Sequence, residues 1–223
     1  MKKTKKNRGL IEDLDPAHEF AFAMNFAYVT LENEPNKEDQ IIILDFILDA
    51  IREDLKTSCL TSIFYNRENF EGIHSRPFPD NYYDESGNLL KIPCSDKETK
   101  EVDLSKECIL VFPWHRGRLR SQIKNIYRNK FIYHDNNHFS YYYPYLKICY
   151  VWNGYHSISA GILHKKGYIK AKEKDITPLF RYIYTDGLYW YNSHTKEKLF
   201  DLFDFRVGLI YEISKIKYKL ENY

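Results

Sequence analysis

The sequence predicts an α+β protein, in which a small mixed sheet with helices is preceded by an N-terminal helical segment and followed by a C-terminal helix. Apolar residues recur at helical spacing over residues 16–65 and again near residues 204–220. Short β-branched and aromatic runs, which are typical of strands, begin at residue 108. A polar, turn-rich stretch lies between them. We therefore predict a helical segment over 1–65, an irregular connection with room for short strands over 66–104, and an α+β core with the C-terminal helix over 105–223.

The composition indicates a globular chain with one sizeable core. The 223 residues are 43% hydrophobic and 29% charged, which is enough apolar surface for such a core. Glycine and proline are scarce, at 9 and 8 residues, and this excludes the collagen-like and disordered classes. Tyrosine is unusually frequent, at 20 residues. Because a tyrosine hydroxyl needs a polar partner, we expect many of these rings at the core edge or along a groove.

Positive charge is concentrated in the first eight residues, MKKTKKNR, which hold five basic residues and no acidic one. We predict a solvated tail there, with contact to nucleic acid or a membrane surface as the alternative. The basic start is followed by EDLDP rather than by an apolar run, so no signal peptide is predicted. No apolar run approaches the ~18 residues that span a bilayer. The four cysteines are widely spaced, so we expect reduced thiols, a cytoplasmic location and no membrane.

Two helices are predicted in the N-terminal segment. Asp15-Pro16 combines a capping residue with a proline in the first turn, and this predicts a helix to about residue 33. Asn36 caps a second helix, in which the apolar residues between Ile43 and Leu55 share one face. A separate, shorter helical piece is predicted over residues 59–65.

The core is predicted as short strands that alternate with helices. CILVF predicts a strand ended by Pro113, and FSYYYPYLKICYVW predicts two strands broken near Pro144. Asp186-Gly187 lies between TPLFRYIYT and LYWYN and is a strong hairpin signal. The remaining elements are helices over 118–129, about 156–165 and about 204–220, and a strand over 167–171. In the last helix, Glu212 is expected to be exposed.

The stretch NGYHS, residues 153–157, lies where a predicted strand enters a predicted helix. The first turn of a helix offers backbone N–H groups without partners in the helix, and the helix dipole adds partial positive charge. Gly154 allows a ligand to approach the backbone, Ser157 or Ser159 adds a hydroxyl, and His156 can donate a hydrogen bond or move a proton. These features predict an anion site, most naturally for phosphate. The alternative is a plain tight turn in which Ser157 caps the helix and His156 is an interior histidine.

The strand–turn–helix sequence VWNGYHSISAGI, followed by GYIKA, resembles the core box of the ParB/sulfiredoxin-like superfamily. In that superfamily a strand leads into a Gly-x-His-Arg-type turn, and nucleotide phosphates bind at the start of the next helix. Gly154, Tyr155 and His156 match the Gly-x-His part, while Ser157 stands in place of the arginine. With the preceding PWHRGRLR, the layout looks like a bacterial family of unknown function with this core over about 105–190. The resemblance implies a bound nucleotide, with Mg²⁺ if the nucleotide is hydrolysed.

Two differences between this sequence and members of the superfamily limit the activities that the resemblance implies. The catalytic cysteine of sulfiredoxin would fall at Tyr155, so reduction of a sulfinic acid does not carry over. No arginine-rich second box of the chromosome-partitioning type follows residue 160, so sequence-specific partitioning does not carry over either.

Residues 115–130, HRGRLRSQIKNIYRNK, contain six arginine and lysine residues and no acidic one. The resemblance implies that this helix starts near the anion site, where an arginine would replace the missing clamp, since arginine grips phosphate with two donors. Trp114 and His115 would border the same pocket, and Trp114 could stack on a base. The alternative is a solvated basic helix face. The arginines that could act as the clamp are Arg116, Arg118 and Arg120.

These observations define the candidate site residues. No metal site is predicted, because the HDNNH stretch with His134, Asp135 and His138 is more typical of a loop. The catalytic candidates are His156, Ser157 and His115. The phosphate- or nucleotide-binding candidates are Asn153, Gly154, Tyr155, Trp114, Arg116, Arg118 and Arg120.

Three classes of function remain open from the sequence. The favoured one is a nucleotide- or phosphate-binding protein that hydrolyses a nucleotide or a phosphodiester, with His156 as the acid–base group. The second is a non-catalytic nucleic-acid-binding module that uses the basic tail, the 115–130 helix and the aromatic residues. The third is a protein-interaction subunit, for instance of a bacterial defence or toxin–antitoxin system, in which the two N-terminal helices present the partner surface.

Overall fold

The computed structural model describes residues 15–65 and 76–223. The basic tail at 1–8 and the part of the predicted connection at 66–75 lie outside the described residues. The described residues form an α+β fold with N-terminal helices and a C-terminal helix, so the predicted class is confirmed. The elements, in chain order, are α1 (Pro16–Asn33), α2 (Lys37–Tyr65), β1 (Asn81–Tyr83), β2 (Leu89–Lys91), β3 (Lys100–Asp103), β4 (Cys108–Leu110), α3 (Arg116–Arg128), β5 (Ser140–Tyr143), β6 (Ile148–Val151), α4 (Tyr155–Leu163), β7 (Tyr168–Glu173), α5 (Leu179–Tyr182), β8 (Ile183–Thr185), β9 (Tyr189–Asn192), β10 (Lys198–Asp201) and α6 (Phe205–Asn222).

The largest sheet has five strands in the order β3-β7-β5-β6-β4. It is mixed, because β4 runs parallel to β6 and β5 parallel to β7, while the β5–β6 and β3–β7 pairs are antiparallel. β5 and β6 are the two strands predicted on either side of Pro144, and Ser140 pairs with Val151. Just beyond this pair the Trp152 N–H donates to the Phe139 carbonyl oxygen over 2.7 Å. Phe139 and Trp152 are therefore neighbours across the open end of the hairpin.

Helices pack against both faces of this sheet. On one face Leu110 and Tyr150 lie in a core that includes buried residues of α1, α2 and α6. On the opposite face Ile109 and Val151 lie in a second core with Ile158 of α4. This division follows from the alternation of side chains along each strand, and it leaves α4 on the side of the sheet opposite to the N-terminal helices.

The two N-terminal helices begin as the sequence predicts. The Asp15 carboxylate accepts a hydrogen bond from the Ala17 N–H over 2.9 Å, and Pro16 occupies the first turn of α1. The Asn36 side chain accepts from the Glu38 N–H over 2.8 Å at the start of α2. Both side chains satisfy N–H groups that the helix itself leaves without partners.

The prediction of a separate helical piece over 59–65 is wrong, because α2 continues without a break to residue 65. Cys59 and Ile63 extend the buried stripe of Leu55 at intervals of four residues, and the intervening sequence contains neither glycine nor proline. Nothing therefore interrupts the helical hydrogen bonds, and the apolar face of α2 reaches the second core at Leu60.

The predicted connection contains regular structure beyond residue 75. β1 and β2 pair as a small antiparallel hairpin, and β3 joins the main sheet by pairing with β7, with Val102 opposite Ile169. The five-stranded sheet therefore begins before residue 105, where the sequence placed the start of the core.

The hairpin predicted at Asp186-Gly187 joins β8 to β9, and β10 completes a three-stranded sheet. Gly187 has a φ of 92°, and a Cβ there would lie 2.6 Å from the Phe20 side chain. Only glycine fits this close approach, so the hairpin packs tightly on α1.

Glu212 of α6 accepts a hydrogen bond from the Thr185 N–H over 3.0 Å, and its side chain is 14% exposed. The prediction of an exposed glutamate is wrong, because α6 packs against β8 on this side. Burial raises the pKa of Glu212, while Lys215 lies 3.5 Å away as its charge partner. All four cysteines are free thiols. Over the two described ranges, no helix combines the length and apolar character that crossing a bilayer requires.

Candidate functional site

The NGYHS turn connects β6 to α4. Gly154 is the N-cap residue of α4, has a φ of 86°, and supplies no capping side chain. A Cβ at this position would lie 2.5 Å from Cδ2 of His138, so both the backbone conformation and the close approach require glycine. His138 therefore occupies the space into which a side chain at residue 154 would point.

An open cavity of about 1170 Å³ lies in front of this turn. It lies between the starts of α3 and α4 and the open end of the β5–β6 hairpin. Seven of the ten predicted site residues line it, which places the two predicted motifs in one site. The lining residues are Trp114, Arg118, Ser121, Gln122, Asn137, Phe139, Trp152, Asn153, Gly154, Tyr155, His156 and Ser157.

The three arginines proposed as a clamp have different surroundings. Only Arg118 lines the cavity. Arg116 donates from Nε and Nη2 to the Ile63 carbonyl oxygen over 3.3 and 3.2 Å, and so caps the end of α2. Arg120 is exposed on α3 and does not line the cavity. His115 is also outside the lining, because its Nδ1 atom accepts from the Arg118 N–H over 3.3 Å and caps α3.

Arg118, Trp114 and His156 form a contact chain along one wall of the cavity. The guanidinium carbon of Arg118 lies 5.0 Å from the Trp114 ring centroid, which is a cation–π contact. The Trp114 and His156 rings meet edge to face, with centroids 5.3 Å apart. This packing places an arginine and an indole side by side at the entrance to the α4 turn.

His156 is held as a neutral imidazole. Its Nε2 atom accepts a hydrogen bond from the His115 N–H over 3.0 Å. Burial, together with the smaller effects of the Arg118 and His115 charges, lowers its pKa to about 4. A neutral imidazole that accepts at Nε2 carries its proton on Nδ1. His156 is therefore a hydrogen-bond donor at Nδ1, while its acceptor nitrogen is engaged in holding α3.

Ser157 is bonded to His138, a residue that the sequence treated only as a metal candidate. The His138 Nδ1 atom accepts from the His134 N–H over 3.1 Å, and its Nε2 lies 2.9 Å from the Ser157 Oγ. Burial lowers the pKa of His138 to about 4, so the ring is neutral and its proton is on Nε2. The histidine donates to Ser157, whose hydroxyl lies 3.1 Å from the Gly154 carbonyl oxygen and donates to it.

In an activated serine the neighbouring histidine accepts the hydroxyl proton. Here the hydrogen bond runs in the opposite direction, from His138 to the Ser157 hydroxyl. Both ring nitrogens of His138 are also engaged with protein groups, so neither is free to bind a metal. Within residues 15–65 and 76–223, no group of three or more histidine, cysteine, aspartate or glutamate side chains is placed to hold a metal ion.

Tyr155 contributes backbone rather than side chain, because its ring is only 8% exposed and packs in the core beneath α4. Asn153 extends its side-chain amide to the Asn137 oxygen over 3.5 Å at the cavity rim. The sequence interpretation missed Asn137, Phe139 and Trp152. Phe139 and Trp152 could have been found from the register of the β5–β6 hairpin, which sets them opposite one another beside Asn153.

The chain matches, over residues 2–223, the model of a family described as a family of unknown function, DUF6710. No curated protein and no solved structure matches the chain.

Proposed function

The chain belongs to the DUF6710 family, and we propose that it binds a nucleotide or another phosphate-bearing ligand in the cavity at the NGYHS turn. The phosphate would lie at the start of α4 and against Arg118, and the base would stack on an exposed ring. The finer interpretation, a ParB/sulfiredoxin-like core, remains part of this proposal and supports the same ligand.

The observation that carries the proposal is the position of Arg118 beside the start of α4. A helix start without a capping side chain attracts anions through its N–H groups and dipole. Arg118 adds a full positive charge at the same cavity, and its stacking on Trp114 holds the guanidinium in place. In this proposal Arg118 supplies the positive charge that the resemblance assigns to the arginine for which Ser157 stands in the turn.

The hydrogen bonds at His156 and Ser157 favour binding over catalysis. The Nε2 lone pair of His156 is occupied by a backbone N–H, so its available function is donation from Nδ1 to a phosphate oxygen. Ser157 receives a hydrogen bond from His138, so this histidine is not a base that removes the serine proton. Hydrolysis of a nucleotide or phosphodiester, with Mg²⁺, stays a prediction that this geometry does not favour.

Arg118→Ala and Arg120→Ala provide a matched test, because both residues are exposed on α3 and only Arg118 lines the cavity. We expect inorganic phosphate, AMP or ATP to raise the melting temperature of the wild-type protein, since a ligand of the native state stabilises it in proportion to occupancy. Arg120→Ala should keep this shift and Arg118→Ala should lose most of it. Equal shifts in the two variants would place the ligand elsewhere, and no shift in the wild type would refute the proposal.

A second candidate function, interaction with a protein partner, is favoured by the surface of α1 and α2. Phe22 and Phe26 are 63% and 60% exposed on one side of α1, and Phe46 on α2 is 75% exposed. Residues 15–65 contain ten acidic and three basic residues. Such a surface suits a basic, amphipathic partner. A purified partner that binds the wild type should be released by Phe46→Glu and retained by Leu89→Glu, a control at an exposed position on β2.

A further inference from the structure

The face of the five-stranded sheet that carries Leu110 and Tyr150 is covered by helices at those strands but is exposed along β7. Exposed and buried residues alternate on this strand, with Ile169 and Ala171 buried and Tyr168 and Lys170 exposed. Lys172 follows on the same side as Lys170, because side chains two residues apart on a strand point to the same face, about 7 Å from each other. β7 therefore presents two lysines in a row on this face.

β5 and β6 set aromatic rings beside these lysines. Tyr141 is the register partner of Lys172, so the two side chains share a face. Phe139 lies two residues earlier on the same side and is 41% exposed, and the neighbouring Trp152 is 39% exposed. We call Phe139, Tyr141, Trp152, Lys170 and Lys172 the aromatic–lysine face.

The aromatic–lysine face is continuous with the cavity at the NGYHS turn. Phe139 and Trp152 line that cavity together with Arg118. Trp152 also lines a smaller cavity with Tyr141 and Lys174. A ligand seated at Arg118 can therefore extend over Trp152 and along the sheet without leaving the surface.

Acidic residues mark the margins of this face. Glu101 on β3 is the register partner of Lys170, and Asp80 pairs with Lys174. Lys174 Nζ also lies 3.8 Å from the Tyr141 ring centroid, which fixes the outer end of the row of rings. Between these margins Lys170 and Lys172 supply positive charge next to the aromatic rings.

We propose that the aromatic–lysine face binds single-stranded nucleic acid, which enters from the phosphate site at Arg118. Exposed rings on a sheet stack on unpaired bases, and adjacent lysines neutralise the phosphates between them. A duplex does not suit this face, because its bases are already stacked and paired. The inference rests on the proposed function and names its ligand as a polynucleotide strand rather than a free nucleotide.

The test measures the affinity of the purified chain for labelled oligo-U, oligo-dT and the matching duplex. Each probe has about 12 nucleotides, a length within the range that one small domain covers on a single strand. Trp152→Ala and Phe139→Ala should each weaken single-strand binding about tenfold, as expected for the loss of one stacked base. Tyr28→Ala, at a comparably exposed position on α1 (50%), is the aromatic control and should bind as the wild type does. The two oligonucleotides show whether the strand is RNA or DNA.

The lysines are tested through the salt dependence of binding. Each phosphate contact with a single strand contributes about 0.7 to the slope of log affinity against log salt concentration, so the Lys170→Gln/Lys172→Gln variant should lose about 1.4 of that slope. Lys219→Gln on α6 is the charge control and should keep the full slope. Circular dichroism of every variant verifies that the fold is retained.

The outcomes separate this inference from the function on which it rests. If AMP or phosphate binds at Arg118 but the oligonucleotides bind no more tightly, the inference is overturned and the proposed function stands. If the oligonucleotides bind and the Trp152, Phe139 and lysine variants match the wild type, the strand lies elsewhere and the inference is also overturned. Tighter binding of the duplex than of the single strands would also overturn the inference. If neither mononucleotide nor oligonucleotide binds, both proposals fail.

Discussion

The Nε2 atom of His156 and the backbone N–H of His115 are joined by a 3.0 Å hydrogen bond. This bond ties the first turn of α4 to the N-cap of α3, so the two helix starts that border the cavity are held together before any ligand arrives. A preformed site avoids much of the ordering cost of binding. His156 thus has a structural role in the site that is independent of any chemistry.

We expect His156→Ala to lose about 1–3 kcal/mol of unfolding free energy, because the partly buried His115 N–H is left without its acceptor. His156→Gln should recover part of this loss, since a glutamine side chain offers a carbonyl oxygen at a similar distance. Urea unfolding of the three proteins measures both effects. His156→Ala with wild-type stability would show that the bond does not support the fold.

The buried His138 and the partly buried His156 predict a stability that depends on pH. Burial lowers the pKa of both His138 and His156 to about 4, whereas an unfolded histidine titrates near pH 6.5. The unfolded chain therefore binds more protons, and the free energy of unfolding should be steady above about pH 7 and fall as the pH drops from about 6.5 towards 4.

The contribution of one histidine to this pH dependence can be isolated. His138→Gln should make the unfolding free energy fall less steeply as the pH drops. His18→Gln, at an exposed position on α1, should leave this fall unchanged. Denaturation series at several pH values measure the slope. An unfolding free energy that stays constant down to about pH 5 would contradict the assignment of neutral buried imidazoles.

A comparison of Gly154→Ala with Gly87→Ala separates the stability cost of backbone strain from the cost of steric overlap. Their φ values are 86° and 80°, but a Cβ at Gly87 meets no atom within 4 Å, while one at Gly154 lies 2.5 Å from the His138 ring. Both changes should cost about 1–2 kcal/mol for the left-handed conformation, and Gly154→Ala should cost about 1–3 kcal/mol more for the overlap. Thermal unfolding gives the comparison. Equal losses at the two positions would mean that the α4 turn relaxes around an added methyl group.

Ser157 is expected to be unreactive as a nucleophile. His138 donates to its hydroxyl instead of accepting from it, so a serine-directed fluorophosphonate should not label the protein. Ser157→Ala should lose about 1 kcal/mol of stability for the missing hydrogen bonds and should keep any phosphate binding. Labelling of the wild type that disappears in Ser157→Ala would contradict this interpretation.

The amphipathic helices were the most predictable part of the fold. Asp15-Pro16 and Asn36 carry their own capping chemistry, and the apolar spacing in α1, α2 and α6 is set locally. The break predicted before Cys59 was wrong because one buried stripe continues through it. β3 could not be placed from the sequence, because its position depends on pairing with β7, far along the chain.

The site was predictable as a turn and a basic helix, but not in detail. The choice among Arg116, Arg118 and Arg120 depends on the rotation of α3 about its axis, which Leu119 and Ile126 set by their burial. The bond between His138 and Ser157 joins residues 19 positions apart, and local patterns do not indicate such contacts. Asn153 and Gly154 followed directly from turn chemistry.

The packing of α6 on α1 and α2 has a consequence for the order of folding. About 140 residues separate α2 from α6, as their bounds show, so the core that they share forms only after most of the chain has been synthesised. Until then the apolar stripes of α1 and α2 have no cover from α6. Proteins whose core joins distant segments of the chain fold slowly and populate aggregation-prone intermediates with exposed apolar surface. We therefore expect the early translation product to depend on chaperones, whereas the completed chain does not.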